Sequence, residues 1–231
     1  METVAIILAA GQGKRMGAGV NKQYLKLQGK PILAQTLLVF DQCAMIDGII
    51  VVTHVNEIEY CQEEVIKPYG LRKVTSIVAG GKERQDSVYC GLKALPIECK
   101  TVVVHDGARP LITSAVIEHG LKTLDKQGVV VGVPTKDTIK RVDEQGIVVE
   151  TPKRSALWSV QTPQIFDKNM IVSSYIKAMS EGFVGTDDAS MVEYCGGQIK
   201  MVMGDYENIK ITTPEDLPLA EAILASRKAR P

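Results

Sequence analysis

Aromatic residues are scarce in this chain of 231 residues: three Phe, one Trp and seven Tyr, 5 % in all. Its core must therefore be filled by Val, Ile, Leu and Ala. An excess of charge of either sign is also lacking, with 27 Lys and Arg against 27 Asp and Glu. That balance excludes a polybasic coat for nucleic acid and an acidic disordered tail. A phosphate site would have to come from a local group of cations. No apolar run approaches the ~20 residues needed to span a bilayer; Val4 to Ala10 is typical of the longest. The N-terminus has no charged segment followed by a long apolar stretch, so neither a secretory leader nor a membrane partner is expected. The cysteines (Cys43, Cys61, Cys90, Cys99 and Cys195) are odd in number, widely spaced and without a CxxC pair. This predicts reduced thiols in a cytoplasmic protein, not a disulfide framework or a zinc cluster.

What is present is an alternation. Val4–Leu8, Ile49–Thr53, Val74–Val78, Thr101–His105 and Val129–Val133 are short, continuous, β-branched runs, as strands buried on both faces require. Between them Ile32–Cys43, Glu57–Pro68, Glu83–Leu95 and Ser114–Gln127 carry helical spacing. The predicted fold is α/β: a mostly parallel twisted sheet with helices on both faces, forming one domain over residues 1–231. Ligands of such sheets sit beyond the carboxyl ends of the strands. Lys136–Thr151 breaks the pattern with two extended pieces around Asp143-Glu144-Gln145-Gly146. It reads as an inserted hairpin (136–151), marginal by itself, whose Ile139, Val142, Ile147 and Val149 need a covering surface from this domain or another subunit.

Beyond the first strand lies Ala9-Ala10-Gly11-Gln12-Gly13-Lys14-Arg15-Met16-Gly17. A glycine-rich turn after a strand directs backbone N–H groups at an anion. A Walker A loop is excluded because GxxxxGK[ST] is absent, and a dinucleotide fingerprint fails at Met16. A plain turn with solvated basic residues accounts for this block equally well. Lys22, a few residues on, adds to Lys14 and Arg15, and three cations on one loop would offset most of a triphosphate's charge. After the third strand, Gly80-Gly81 allows close approach of a flat group. Arg84 and Ser87, three apart, face one side of the following helix and suit a base or ribose. After the fourth strand, Asp106 suits a metal ion, a sugar hydroxyl or a pairing with Arg109, and Arg109 has the planar fork for phosphate. His105 reads as structural, and His54 and His119 as surface residues. Asp187 and Asp188 look like an acid pair, but a helix start with Thr186 or Asp187 as its cap accounts for them at least as well as catalysis.

Taken together and in order, these blocks resemble one family. Ala9-Ala10-Gly11-x-Gly13-x-Arg15-Met16, Lys22-Gln23-Tyr24, Gly80-Gly81-x-x-Arg84-x-x-Ser87-Val88 and His105-Asp106-x-Ala108-Arg109-Pro110 are similar to the 2-C-methyl-D-erythritol 4-phosphate cytidylyltransferases. The likeness continues through Asp137-Thr138-x-Lys140, Thr162-Pro163-Gln164, Thr186-Asp187-x-Ala189-Ser190 and Asn208-Ile209-Lys210. It implies a Rossmann-like fold and transfer of CMP from CTP to a sugar-alcohol phosphate, with Mg²⁺ bridging the CTP phosphates. By the resemblance Arg15 and Lys22 are catalytic. Ala9, Ala10, Gly11, Gly13, Lys14, Gly80, Gly81, Arg84 and Ser87 bind CTP, and Asp106, Arg109, Thr138, Arg154, Thr162 and Lys210 bind the acceptor. It names no residue as a metal ligand, and it implies a homodimer in which hairpin 136–151 is exchanged as an arm. Asn21 and Gly107 depart from the family's usual Pro and Ala. A ribitol 5-phosphate cytidylyltransferase and a non-catalytic nucleotide binder on the same fold are the alternatives.

Overall fold

The computed structural model describes residues 1–11 and 21–229. Along the chain come β1 (Thr3–Ala9), β2 (Lys26–Leu27), β3 (Lys30–Pro31), α1 (Ile32–Gln42) and β4 (Gly48–Thr53), then α2 (Ile58–Cys61), β5 (Val74–Ala79), α3 (Arg84–Lys93) and β6 (Thr101–Asp106). They are followed by α4 (Ser114–Thr123), β7 (Gly128–Pro134), β8 (Arg141–Val142), β9 (Val148–Glu150), β10 (Trp158–Asp167), α5 (Lys168–Ser180), α6 (Asp188–Tyr194), β11 (Ile199–Met203) and α7 (Asp216–Ala229). Among the described residues a seven-stranded sheet has the order β11-β7-β10-β6-β1-β4-β5. All its pairings are parallel except those of β10, which runs antiparallel to both β6 and β7.

The predicted strands are all present. The predicted helix over Glu57–Pro68 is a composite instead: a 3₁₀ turn (Val55–Glu57), the short α2 and a π-type stretch (Gln62–Ile66). Alternation along β1 divides the core. Ala5, Ile7 and Ala9 pack with Leu33, Leu37 and Phe40 of α1 on one face. Val4 and Ile6 pack with Val88 and Leu92 of α3 and Ile171 and Tyr175 of α5 on the other. Leu27, Ile32, Leu111, Ile211 and Ala220 form a smaller cluster that seats α7 beside the strand ends.

From β1 the chain winds outward to β4 and β5, then returns across β1 to place β6 on its other side. The crevice at such a reversal is where ligands of doubly wound sheets bind. Among the described residues the hairpin of β8 and β9 pairs only with itself, and it closes on a turn at Asp143–Gly146. Its Ile139, Val142, Ile147, Val148 and Val149 are 41–62 % exposed. All but Val148 are the side chains for which the sequence asks for cover.

Candidate active site

At the carboxyl ends of β1, β4, β5 and β6 opens a cleft of about 900 Å³. Leu8, Ala9, Ala10 and Gly11 line it from β1, Gly80 through Arg84 and Ser87 from the turn before α3, and Asp106 and Ala108 from β6. Lys22, Lys210 and Thr212 complete the wall, together with Gln23, His54 and Val55. Ala9, Ala10, Gly11, Gly80, Gly81, Arg84, Ser87, Lys22, Asp106 and Lys210 of the predicted site therefore meet in one place. Gly13, Lys14 and Arg15 lie outside the described residues. His54, expected at the surface, is half-buried and faces the cleft.

The β5 side of the cleft is narrow for a backbone reason. A Cβ on Gly80 would stand 2.6 Å from Ala10 Cβ and 2.8 Å from Ser87 Oγ, and one on Gly81 would stand 2.3 Å from Asp86 Cβ. Only glycines let this turn lie against the end of β1. The helix that follows opens with a capping box between Glu83 and Asp86. Ser87 Oγ accepts from Gly81 N–H at 3.1 Å and donates to the Glu83 carbonyl. Its hydroxyl is thus engaged in holding the glycine turn.

Asp106 is the electrostatic centre. Its carboxylate lies 2.8 Å from Lys210 Nζ, 3.4 Å from Arg84 Nε and 3.7 Å from Arg109 Nε. Burial alone would raise its pKa, but Arg84, Lys210 and Arg109 outweigh that and hold the carboxyl well below the usual carboxylate range. The pairing with Arg109 that the sequence suggested is present as one of three. Arg84 is pinned from beneath. Its two terminal nitrogens each donate at 2.9 Å to Asp188, which is wholly buried and also accepts from Tyr175 O–H at 2.6 Å. Desolvation would lower the Arg84 pKa, but Asp188 and Asp106 raise it further above the ordinary guanidinium value, so it is a fixed charge. Sequence reading noted Asp188 only as half of an acid pair with Asp187 and missed its pairing with Arg84. Its neighbour Asp187 takes the capping role, accepting from Ser190 N–H.

The remaining residues expected at the acceptor divide into two groups. Thr162 is 4 % exposed and lies behind Asp106, where its Oγ1 accepts from Asp106 N–H at 3.1 Å and sits 3.0 Å from His105 Nδ1. Arg109 is half-buried outside the cleft wall and donates to the Asn208 carbonyl at 2.8 Å. Its Nε has no hydrogen-bond partner among the described residues. Thr138 and Arg154 are exposed at the root of the hairpin, and Arg154 donates to the Lys136 carbonyl. Within a single chain they do not line the cleft.

The cleft thus has a tight glycine wall, a floor of backbone from β1, and Lys22, Arg84 and Lys210 converging from three segments. The carboxylates that line it are engaged, Asp106 by cations and Glu83 by its helix cap. Among the described residues no three His, Cys, Asp or Glu side chains are grouped to hold a metal ion, and no helix is long and apolar enough to cross a membrane.

Comparison with known proteins agrees over nearly the whole chain. The family model for 2-C-methyl-D-erythritol 4-phosphate cytidylyltransferase (IspD) matches residues 3–226. The protein of that name from Geotalea uraniireducens is 53 % identical over 229 residues, covering 98 % of each chain. The one from Alkaliphilus metalliredigens is 52 % identical over 98 % of this chain and 95 % of its own. Among solved structures, 4-diphosphocytidyl-2C-methyl-D-erythritol synthase from Anaerococcus prevotii superposes with a TM-score of 0.86 at 34 % identity, over 97 % of this chain and 96 % of that one.

Proposed function

The chain belongs to the 2-C-methyl-D-erythritol 4-phosphate cytidylyltransferase family, and from that premise we propose how its residues share the work. The enzyme transfers CMP from CTP to 2-C-methyl-D-erythritol 4-phosphate and releases pyrophosphate, a step in making isoprenoid precursors. An acceptor phosphate oxygen attacks the α-phosphorus of CTP in line. The new P–O–P linkage forms as the bond to the β-phosphate breaks. The monoester is already an anion at neutral pH, so no base has to remove a proton. The obstacle is the approach of one anion to another.

In this reading the base lies against Gly80 and Gly81, where the tight turn favours a pyrimidine over a larger ring. The triphosphate lies over Ala9, Ala10 and Gly11, with Gly13, Lys14 and Arg15 assigned to it by the family resemblance. Lys22 faces the α-phosphoryl oxygens on which charge grows in the transition state, and the family resemblance assigns Arg15 the same role. Lys210 and Asp106 take the acceptor; Arg109, assigned to it by the family resemblance, backs Asp106 from outside the cleft wall, and Thr162 holds the Asp106 backbone. Mg²⁺ enters as part of the nucleotide substrate and shields its phosphates. The engagement of Asp106 by three cations supports an ion carried by the triphosphate rather than by the chain.

Thr138 and Arg154, remote from their own cleft, act in the cleft of a second copy. The supporting observation is the exposed apolar hairpin, which two copies can cover by exchanging arms. The five unpaired cysteines, three of them buried, suit a reducing cytoplasm supplied with CTP.

The observation that carries the assignment is the placing of Lys22 and Lys210 on one cleft with the glycine turn. Lys22→Ala should lower kcat by roughly two orders of magnitude or more with little change in KM for CTP. Turnover within a few-fold of wild type would remove Lys22 from the reaction.

A further inference from the structure

Lys22 sits on a single 3₁₀ turn (Lys22–Tyr24), a weak element for aiming a long, flexible side chain. The surroundings of that turn converge on one carboxylate that belongs to no sequence motif. Glu57, just beyond the end of β4, accepts from Asn21 Nδ2 through Oε1. Its Oε2 accepts from Gln23 Nε2 at 3.2 Å and from Thr53 Oγ1 at 3.3 Å. A carboxylate only accepts, so the Thr53 hydroxyl points its hydrogen at Glu57. Its oxygen, 3.0 Å from Tyr24 Oη, is then the acceptor for the tyrosine. The Gln23 amide also donates to the Ala9 carbonyl at 2.7 Å, at the end of β1. Asn21, Gln23 and Tyr24 are thus all tied to Glu57, directly or through Thr53, and Gln23 and Tyr24 are buried. Lys22 and Gln23 of the turn both line the cleft, and Lys22 brings the charge to it.

We propose that Glu57 is a positioning residue for the reaction: it fixes the turn on both sides of Lys22 and so aims the ammonium group at the nucleotide phosphates. The inference rests on the role given to Lys22 above. It concerns geometry rather than charge, since Glu57 is not among the residues lining the cleft. A misplacement of about 1 Å at a reacting centre can cost as much as 10²-fold in rate.

The geometry separates three substitutions. Glu57→Ala removes the shared acceptor and should lower kcat by roughly 10- to 100-fold. Glu57→Gln keeps the length. Its amide oxygen can serve Gln23 and Thr53, and its nitrogen can face Asn21, whose own amide can turn to accept. Gln23 cannot turn, because its nitrogen also serves Ala9. Turnover of Glu57→Gln should therefore stay within about threefold of wild type. Glu57→Asp keeps the charge but is one methylene too short to reach Asn21 and Gln23 together, and it should resemble the alanine variant.

The deciding experiment is a double-mutant cycle read by pyrophosphate release at saturating CTP and acceptor, with thermal midpoints recorded for each variant. In the Lys22→Ala background, Glu57→Ala should cost less than about twofold, because the group it positions is gone. The same 10- to 100-fold loss in both backgrounds would mean that Glu57 serves the fold at large, and the proposal would be overturned with the role of Lys22 intact. If Glu57→Ala does not fold, the order of Glu57→Gln and Glu57→Asp decides, and an aspartate more active than the glutamine overturns the proposal. A Lys22→Ala enzyme that turns over normally would overturn both.

Discussion

Lowering the pH from 7 to 5 should destabilise this protein through one buried imidazole. His105 is wholly buried at the end of β6. Its Nδ1 lies 3.0 Å from Thr162 Oγ1, its Nε2 3.4 Å from the Arg109 carbonyl and its ring centre 4.9 Å from that of Phe40. Thr162 already accepts from Asp106 N–H, so its hydroxyl donates to Nδ1 and Nε2–H donates to the carbonyl. The neutral ring is fully satisfied. Burial pulls its pKa down to about 3, against the opposing pull of Asp106. An unfolded histidine titrates near ~6.5. Between those values the unfolded chain binds a proton that the native chain refuses. Stability is therefore complete above the unfolded pKa and is lost as pH falls through the window. The slope approaches about 1.4 kcal/mol per pH unit, and its integral from pH 7 to 5 is about 2 kcal/mol. For a chain of this size that corresponds to a fall of roughly 4–8 °C in Tm. Asp106 does not confuse the measurement. Its native pKa is depressed, so its contribution is present above the ordinary carboxylate range and is lost only below about pH 4. The assay is urea unfolding at constant ionic strength across pH 5–7, comparing wild type with His105→Gln. The variant should start less stable and show the shallower pH dependence. Equal slopes in the two proteins would refute the reasoning.

Three further outcomes follow from the packing and from the proposed assembly. Gly80→Ala places a methyl group 2.6 Å from Ala10 Cβ and 2.8 Å from Ser87 Oγ; it should cost about 1–3 kcal/mol and raise KM for CTP more than KM for the acceptor in steady-state assays. Arg227→Met releases the bonds at 2.8 Å from α7 to Glu207 and to the Leu111 carbonyl. Because the loop so clamped carries Lys210, KM for the acceptor should rise while KM for CTP holds, and a parallel rise in both would contradict the link. Ile147→Asp with Val149→Asp should leave each chain folded but monomeric by light scattering and inactive; an active monomer would exclude the arm exchange.

Much of the fold was legible because burial on both faces of a sheet writes continuous β-branched runs, and five such strands stand where they were expected. The antiparallel direction of β10 was not. Nothing in Trp158–Asp167 marks direction, and the segment mixes Gln, Thr and Pro among its apolar residues. The hairpin and a single 3₁₀ turn (Arg154–Ala156), rather than a full crossover helix, connect it to β7. In the cleft, the glycines and Lys22 could be read because a turn and a cation leave short local patterns. Glu57 and Asp188 could not, since each is defined by partners remote in sequence: Asn21 and Gln23 for one, Arg84 for the other. One signal was available for Asp188. Two consecutive acids at a helix start offer one more carboxylate than a cap requires, and the surplus must be paired or exposed. Arg84, read as a ribose or base contact, is turned toward Asp188 and Asp106 for the same electrostatic reason.

The two lysines of the cleft are also linked through the backbone. Lys22 Nζ donates at 3.1 Å to the carbonyl of Ile211, 189 residues away, and Lys210 immediately precedes that residue. Ile211 N–H donates at 2.8 Å to the Ala108 carbonyl just past β6, and its side chain is buried in the cluster that seats α7. Asp216 caps the next two residues, accepting from Thr212 N–H and Thr213 N–H. The spacing between the nucleotide side and the acceptor side is therefore set by a strand end, a helix cap and an apolar core rather than by two flexible side chains. For a reaction between anions, that rigidity matters as much as the charges, because cations already in place need not be gathered at the moment of transfer. Lys210 is the adaptable member. At 37 % side-chain exposure it can leave Asp106 for an arriving phosphate, while Arg84 and Arg109 stay to balance the carboxylate. In the proposed reading a substrate phosphate then exchanges one partner of an existing ion cluster instead of forcing a bare charge into the cleft, and part of the cost of desolvating Lys210 has already been met in folding.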